Sequence, residues 1–515
     1  MESFTFLIKE RALFCWIIFS FLCFHTNMIP LSAQEKSTSD CLNGFDSYVE
    51  NAMKQWHVPG MAVGVVKKSN IIFTQGYGFR DLEKRLPVDE NTLFPIGSLT
   101  KAFTSVAFGY LVDEGIAELD QPIIQYCKDF QMSDTYVTEH ITPRDLLCHR
   151  SGLPRHDFVL TNPNISLEKL FSILPYLDSS TGFREVFQYN SIMYRIIGYL
   201  IERISGQRWD TVIQNQILQP LKMENTNFSI DSLTGTGNYS EPYTVNYDKV
   251  SKTRFAKNNG CPAFGMVSNL RDMLNWLIMN LNNGKFMNHQ IISNEYLTQA
   301  QSPQMAIPGP EPYPNPGESF TAGYGLGWYI SAYRGYKVVR HGGQVTGFHA
   351  YIYLLPNESI GIVILSNGET ILPGALCKEI VDRLLGLQPI DWQKYAYDRL
   401  KLALKQWDIH MTGIKNSVSK RHLSASKLKA FSGKYAHPAY GTFTIFPNDS
   451  RLIAKRGQVE YAFEYSDGDT FIRTEGELQG KRMQFFYDEH GQIDKMTMNL
   501  QWGIPPIEFR KLNIK

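Results

Sequence analysis

Ser98 and Lys101 stand three residues apart at the head of an apolar run with helical spacing: Leu99, Phe103, Val106, Ala107, Tyr110 and Leu111. Three positions is close to one helical turn, so the two side chains share a face and reach each other. A serine hydroxyl is a poor nucleophile at neutral pH. It needs a base, and an amine kept neutral by burial can take its proton. The pair therefore suits acyl transfer through serine. Taken alone, such a pair occurs by chance in most chains of this length, as an exposed serine and a surface lysine on an amphipathic helix.

Two further groups of residues suit the same chemistry. Tyr189-Asn190-Ser191 lies just before a second helical stretch, from about Ser191 to Ile204, with Gly206 as its stop signal. A phenol held near an ammonium loses its proton more readily and can shuttle it to a leaving group. His341-Gly342-Gly343 closes one strand-like run ahead of another. Its glycines let an extended, peptide-like substrate approach a strand edge. The backbone N–H groups of Ser98 and Gln344 are candidate oxyanion donors, and His341 can donate to a substrate carboxylate. The histidines and cysteines show no metal-ligand spacing, and no cofactor is expected. Tyr324-Gly325-Leu326-Gly327-Trp328 lacks the third glycine and the helix of a dinucleotide site.

Positioning these residues requires a sheet and a helical block. Met61–Val66 and Ile71–Tyr77 read as a hairpin closed by Lys67-Lys68-Ser69-Asn70. A third helix covers about Leu270 to Leu281. Strand-like runs return at Lys337–Arg340, Phe348–Leu355 and Ile360–Leu365. Strands, then helices, then strands imply an α+β fold. An antiparallel sheet is assembled from both ends of the domain, with helices on both faces and a helical subdomain between. Residues 302–319 carry six prolines and predict an extended loop, on the cleft rim or as a surface insert. Residues 387–423 read as a charged connector. From about Ser424 onward, short strands alternate with turn clusters, which predicts a small all-β barrel or sandwich.

The bulk numbers exclude several classes. In 515 residues, Lys+Arg 51 against Asp+Glu 50 leaves no basic excess for nucleic acid. Lys9 and Arg11 precede an apolar stretch from Ala12 to Phe24, followed by polar residues and Leu31-Ser32-Ala33. That layout predicts a signal peptide cut near Ala33, hence a secreted protein with no stable membrane span afterwards. An uncleaved anchor is the alternative. Of seven cysteines, five follow the leader, scattered and odd in number. They form no disulfide framework, though one or two bridges remain open. Asn164, Asn227, Asn238, Asn357 and Asn448 head Asn-x-Ser sequons.

In combination the motifs resemble the serine β-lactamase-like superfamily, which includes class C β-lactamases, penicillin-binding proteins, D-amino-acid peptidases and related esterases. The three elements stand in the order of that family's pattern, Ser-x-x-Lys, then Tyr-x-Asn, then Lys-Thr-Gly or His-x-Gly. Phe94-Pro95-Ile96-Gly97, the stretch from Leu146 to Pro154, Tyr324 to Trp328, and Gly347-Phe348 also match. The resemblance implies acylation of Ser98, with Lys101 and Tyr189 sharing the proton work. It implies a substrate and oxyanion set of Asn190, Ser191, His341, Gly342, Gly343 and Gln344. Ser191 stands where the family has asparagine, which weakens amide recognition unless Asn190 compensates. His341 in place of lysine points to the peptidase or esterase branch. The tail around Gly433–Gly441 resembles a lipocalin-like C-terminal domain that in relatives supports oligomers. The implied layout is signal peptide 1–33, β-lactamase-like domain 34–386, linker 387–423 and lipocalin-like barrel 424–515. The implied function is secreted hydrolysis of amides or esters of small peptide-like, D-amino-acid substrates. The alternative is a catalytically weak or inactive member of an extracellular matrix, such as the gigasin-like shell proteins.

Overall fold

The computed structural model describes residues 41–161, 165–235, 237–246, 249–255, 260–308, 320–419, 421, 423–500 and 503–512. The expected signal peptide and most of the proline-rich segment lie outside these residues. From Leu42 onward the chain forms one compact unit.

Among the described residues, nine strands make an antiparallel sheet. They are β1 (Gly60–Lys67), β2 (Asn70–Asp81), β3 (Leu86–Pro87), β4 (Met305–Ala306), β5 (Phe320–Tyr324), β6 (Tyr329–Tyr333), β7 (Tyr336–Val345), β8 (Phe348–Leu355) and β9 (Ile360–Ser366). Their order is β4-β5-β6-β7-β8-β9-β1-β2-β3, so both ends of the domain do share one sheet. The central strands β1 and β9 are apolar runs buried on both faces. Helices cover each face. One face meets α4 (Leu270–Leu281), whose Leu270 and Leu274 press on Gly64. The other meets α5 (Leu372–Leu385), where Gly374 sits against Tyr351 of β8, and α1 (Phe45–Trp56), whose Phe45 ring lies by the Arg383 guanidinium of α5.

The helical block lies between β3 and β4, and its central helix is α2 (Thr100–Asp113). Its apolar stripe predicted an amphipathic helix, yet α2 is buried on nearly every side. Its polar residues are paired inward: Thr104 donates to the Pro262 carbonyl at 2.6 Å and accepts from the Trp209 indole at 3.0 Å. A buried helix with satisfied polar groups can carry a buried lysine. The second predicted helix is α3 (Ser191–Ser205), ended by Gly206 in the left-handed region.

The tail closes into a barrel of eight consecutive antiparallel strands, from Gly433–His437 to Ile507–Lys511. Alternate residues, including Phe443, Phe463, Met483, Phe485, Met496 and Phe509, fill its interior. Most of the connector is a helix, α6 (Trp392–Asn416), anchored where the Trp392 indole donates to Asp382 at 2.8 Å. The barrel seats on the helical block through Phe158, which packs against Tyr440, Phe443 and Tyr461. Cys127, Cys148, Cys261 and Cys377 are buried free thiols, and Cys41 is also free. Among the described residues no helix is long and apolar enough to cross a membrane.

Candidate active site

Ser98 lies in a 3-10 turn (Gly97–Leu99) that leads into α2, rather than in the α-helix itself. The turn is held against β7 by backbone contact. Gly97 has φ 52, and a Cβ there would stand 2.7 Å from the Gln344 nitrogen. A Cβ on Gly343 would collide with the Ile96 carbonyl oxygen. Only glycine at both places lets the two backbones touch, and the contact sets Ser98 beside Gln344. The N–H groups of a helix's first turn have no intrahelical partner, which suits Ser98's own amide to an oxyanion.

Lys101 is fully buried, with Nζ 3.1 Å from Ser98 Oγ, 3.3 Å from Ser191 Oγ and 3.0 Å from the Ala263 carbonyl oxygen. Burial among these groups pushes the amine down to about 7, so a large neutral fraction exists at neutral pH. A neutral amine has two N–H bonds and one lone pair. The Ala263 carbonyl can only accept, and Ser191 can take the second N–H. The lone pair then faces the Ser98 hydroxyl. Ser191 therefore keeps a hydroxyl on the lysine, as asparagine keeps an amide there in the family pattern.

Tyr189 lies beside Ser98, and its ring centroid is 4.8 Å from Lys101 Nζ. Its phenol was expected to lose its proton readily beside an ammonium. Burial instead raises its pKa, so it rests as a proton donor. The stretch around His149 positions it. His149 Nδ1 accepts from the Asn190 N–H at 3.1 Å, and the Gln188 N–H donates to the His149 carbonyl at 2.9 Å.

Asn190 does not face the cleft, so it cannot compensate for Ser191. It caps α3 by accepting from the Ile192 N–H at 2.7 Å. Its amide donates to the carbonyls of Leu153 and Pro154 at 3.1 and 2.6 Å. Sequence spacing placed it beside the site; the cap turns its side chain the other way.

His341 sits in the cluster but offers no N–H to a substrate carboxylate. Nδ1 lies 2.7 Å from the Gly342 carbonyl, which can only accept, so Nδ1 carries the proton. Nε2 then accepts from the Tyr324 hydroxyl at 3.0 Å. Burial and the nearby Lys101 push the imidazole down to about 3, so it stays neutral. The strand does not end at His341-Gly342-Gly343 but runs on to Val345, because β8 pairs with it throughout. On its other side β6 stops with Tyr329 opposite Arg340. The edge from His341 to Val345 on that side carries no strand among the described residues. Gly342, Gly343 and Gln344 thus lie on a stretch of strand edge that no described strand pairs.

The Ala263 carbonyl had no readable signal in the sequence, whereas His149, Arg155 and His156 read as residues stabilising a loop near the cleft. The Ala263 carbonyl comes from a loop 162 residues away from Lys101. Arg155 lies with its guanidinium carbon 5.3 Å from the Tyr189 ring centroid. Tyr329 and Tyr324 extend an aromatic wall from Tyr189. Gly327, from the segment that brushed a nucleotide pattern, packs on Ala102 at the start of α2, a structural role. Among the described residues no cluster of potential ligands could hold a metal ion.

Comparison with known proteins bears on the family and the fold. Residues 45–382 match the family described as Beta-lactamase, and residues 418–511 match a domain of unknown function, DUF3471. The chain is 28% identical over 449 residues to "Unguisins hydrolase ungD'" of Aspergillus campestris, covering 82% of this chain and 81% of that one. It is 26% identical to "Protein flp" of Staphylococcus aureus, covering 64% of each chain. An octameric penicillin-binding protein homologue from Pyrococcus abyssi shares the fold, with TM-score 0.61 at 21% identity over 91% of this chain and all of that one. The Beta-lactamase match spans well over half of the sequence and includes Ser98, Lys101, Tyr189 and His341, so the chain belongs to the β-lactamase family of serine hydrolases.

Proposed function

We propose that the protein hydrolyses amide or ester bonds of small peptide-like substrates through an acyl-Ser98 intermediate. The observation that carries this reading is the buried Lys101 amine, 3.1 Å from Ser98 Oγ, with its ammonium form disfavoured by burial. The amine takes the Ser98 proton as Oγ attacks the substrate carbonyl carbon. The oxyanion is received by the N–H groups of Ser98 and Gln344. As the carbon–nitrogen or carbon–oxygen bond breaks, the proton passes from Lys101 through the Tyr189 hydroxyl to the leaving atom. Water then adds to the acyl carbon, giving its proton back along the same path, and Ser98 Oγ leaves reprotonated.

The free edge of β7 supports a peptide-like substrate, since an extended chain could pair there. A D-residue at the cleaved bond is part of the proposal and rests on the resemblance to D-amino-acid peptidases. Relatives named as unguisins hydrolases support hydrolysis in general. The convergence of Ser98, Lys101 and Tyr189 weighs against an inactive matrix protein. Export is proposed from the charged and apolar N-terminal layout. Self-assembly through the barrel is proposed from the octameric neighbour, and light scattering tests it.

Intact-mass analysis after a fluorophosphonate tests the chemistry. A single adduct on wild type, absent in Ser98→Ala, is expected. Equal behaviour of the two proteins overturns the reading.

A further inference from the structure

The barrel touches the cleft through two consecutive residues of the helical block. His156 is buried, with backbone φ 46, a left-handed conformation that few non-glycine residues adopt. Both of its ring nitrogens are occupied. Nε2 lies 3.0 Å from the Asp178 carbonyl, so Nε2 carries the proton. Nδ1 is then bare and accepts from the Tyr440 hydroxyl at 2.6 Å. Tyr440 is itself 1% exposed and belongs to the turn between the first two barrel strands. The preceding residue, Arg155, projects back over the Tyr189 ring, with Nε on Asp157 at 2.6 Å.

We infer that Tyr440 is a positioning residue for the cleft. Its hydroxyl fixes His156 in the left-handed turn, and that turn holds Arg155 over the face of Tyr189. The inference rests on the acyl-serine reading of the cleft and adds a distant residue to it. The barrel then sets the electrostatics of the reacting groups without touching substrate.

Arg155 acts on Lys101 by charge. A cation nearby disfavours the ammonium and keeps the amine basic in the useful sense, as an unprotonated acceptor. Other groups around the amine are fixed in kind: Tyr189 and Tyr194 as neutral phenols, His149 and His341 as neutral imidazoles, and Cys261 as a thiol. Asp157 opposes Arg155 and is paired with it. Arg155 is the partner whose place depends on the His156 turn. Loss of the Tyr440 hydroxyl leaves a buried imidazole nitrogen unpaired, and the turn has one fewer restraint.

The test is the Lys101 titration, read by NMR of protein labelled at the lysine 13Cε and assigned by the missing signal in Lys101→Met. Arg155→Ala should move the midpoint up, by about half a pH unit or more. Tyr440→Phe should move it in the same direction, and should add nothing when combined with Arg155→Ala. His156→Asn, which tolerates the left-handed turn but is too short to reach Tyr440, serves if Tyr440→Phe fails to fold and should shift the midpoint likewise. An unmoved midpoint in Tyr440→Phe or in Arg155→Ala overturns the inference, as does a full additive shift in the double variant. The readout needs no turnover. Failure of the acyl-serine reading is seen separately, as absence of the fluorophosphonate adduct on wild type.

Discussion

The Ser191 hydroxyl stands 3.3 Å from the Lys101 amine, the second of two hydroxyls on one nitrogen. Because the Ala263 carbonyl takes one N–H, Ser191 decides where the lone pair points. This relationship explains how a serine can stand where the family pattern has asparagine. Ser191→Ala should free the second N–H to turn toward Ser98. Fluorophosphonate labelling should slow roughly tenfold or more, on the order of 1.4 kcal/mol in the barrier. Ser191→Asn should restore much of the rate. Labelling rates measured on the three proteins check this.

The acylation rate should rise with pH through about 7, where Lys101 loses its proton, and then level off. A flat profile between mildly acidic and mildly basic pH counts against Lys101 as the base.

The same group makes a stability prediction of definite sign. The folded amine titrates near 7 and the unfolded one near the ordinary lysine value of 10.5. Between those values the unfolded chain binds more protons, so this contribution to stability rises with pH across that window. Below it, the folded state carries the full penalty of a buried cation. Lys101→Met removes the penalty. Its Tm advantage over wild type should be larger at pH 6 than at pH 9, while labelling is lost. Calorimetry at the two values checks the ordering.

Gly343→Ala should break the contact between the 3-10 turn and β7. The added Cβ meets the Ile96 backbone, which cannot swing aside as a side chain could. The turn must move, and a displacement of about 1 Å is enough to lower acylation roughly a hundredfold. Fluorescence-detected melting beside labelling separates this from global unfolding. A variant that labels at the wild-type rate contradicts the close packing.

Asn190→Ala should destabilise the fold by about 2 to 4 kcal/mol. It removes the cap of α3, worth about 1 kcal/mol, and strips donors from two buried carbonyls. Urea unfolding gives the size. Activity should fall with it, since Tyr189 is the adjoining residue.

The sequence revealed what local pattern controls. The Ser98 to Lys101 spacing, the hairpin at Lys67–Asn70, the limits of α4 and the alternation in the barrel all follow from residues near one another. Side-chain direction at Asn190 and His341 did not follow, because it depends on partners at Leu153, Pro154 and Tyr324. The surroundings of α2 were also hidden. Its stripe reads as one wet face and one dry, and only tertiary packing around Thr104 and Ser105 dries the other. Arg155 and Tyr440 are 285 positions apart in the chain, and no local signal relates them.

Cys127, Cys148, Cys261 and Cys377 are sealed in the interior, their thiols pushed up by desolvation, and none is cross-linked. Alkylation of those four buried sulfurs should therefore report opening of the chain rather than its folded surface.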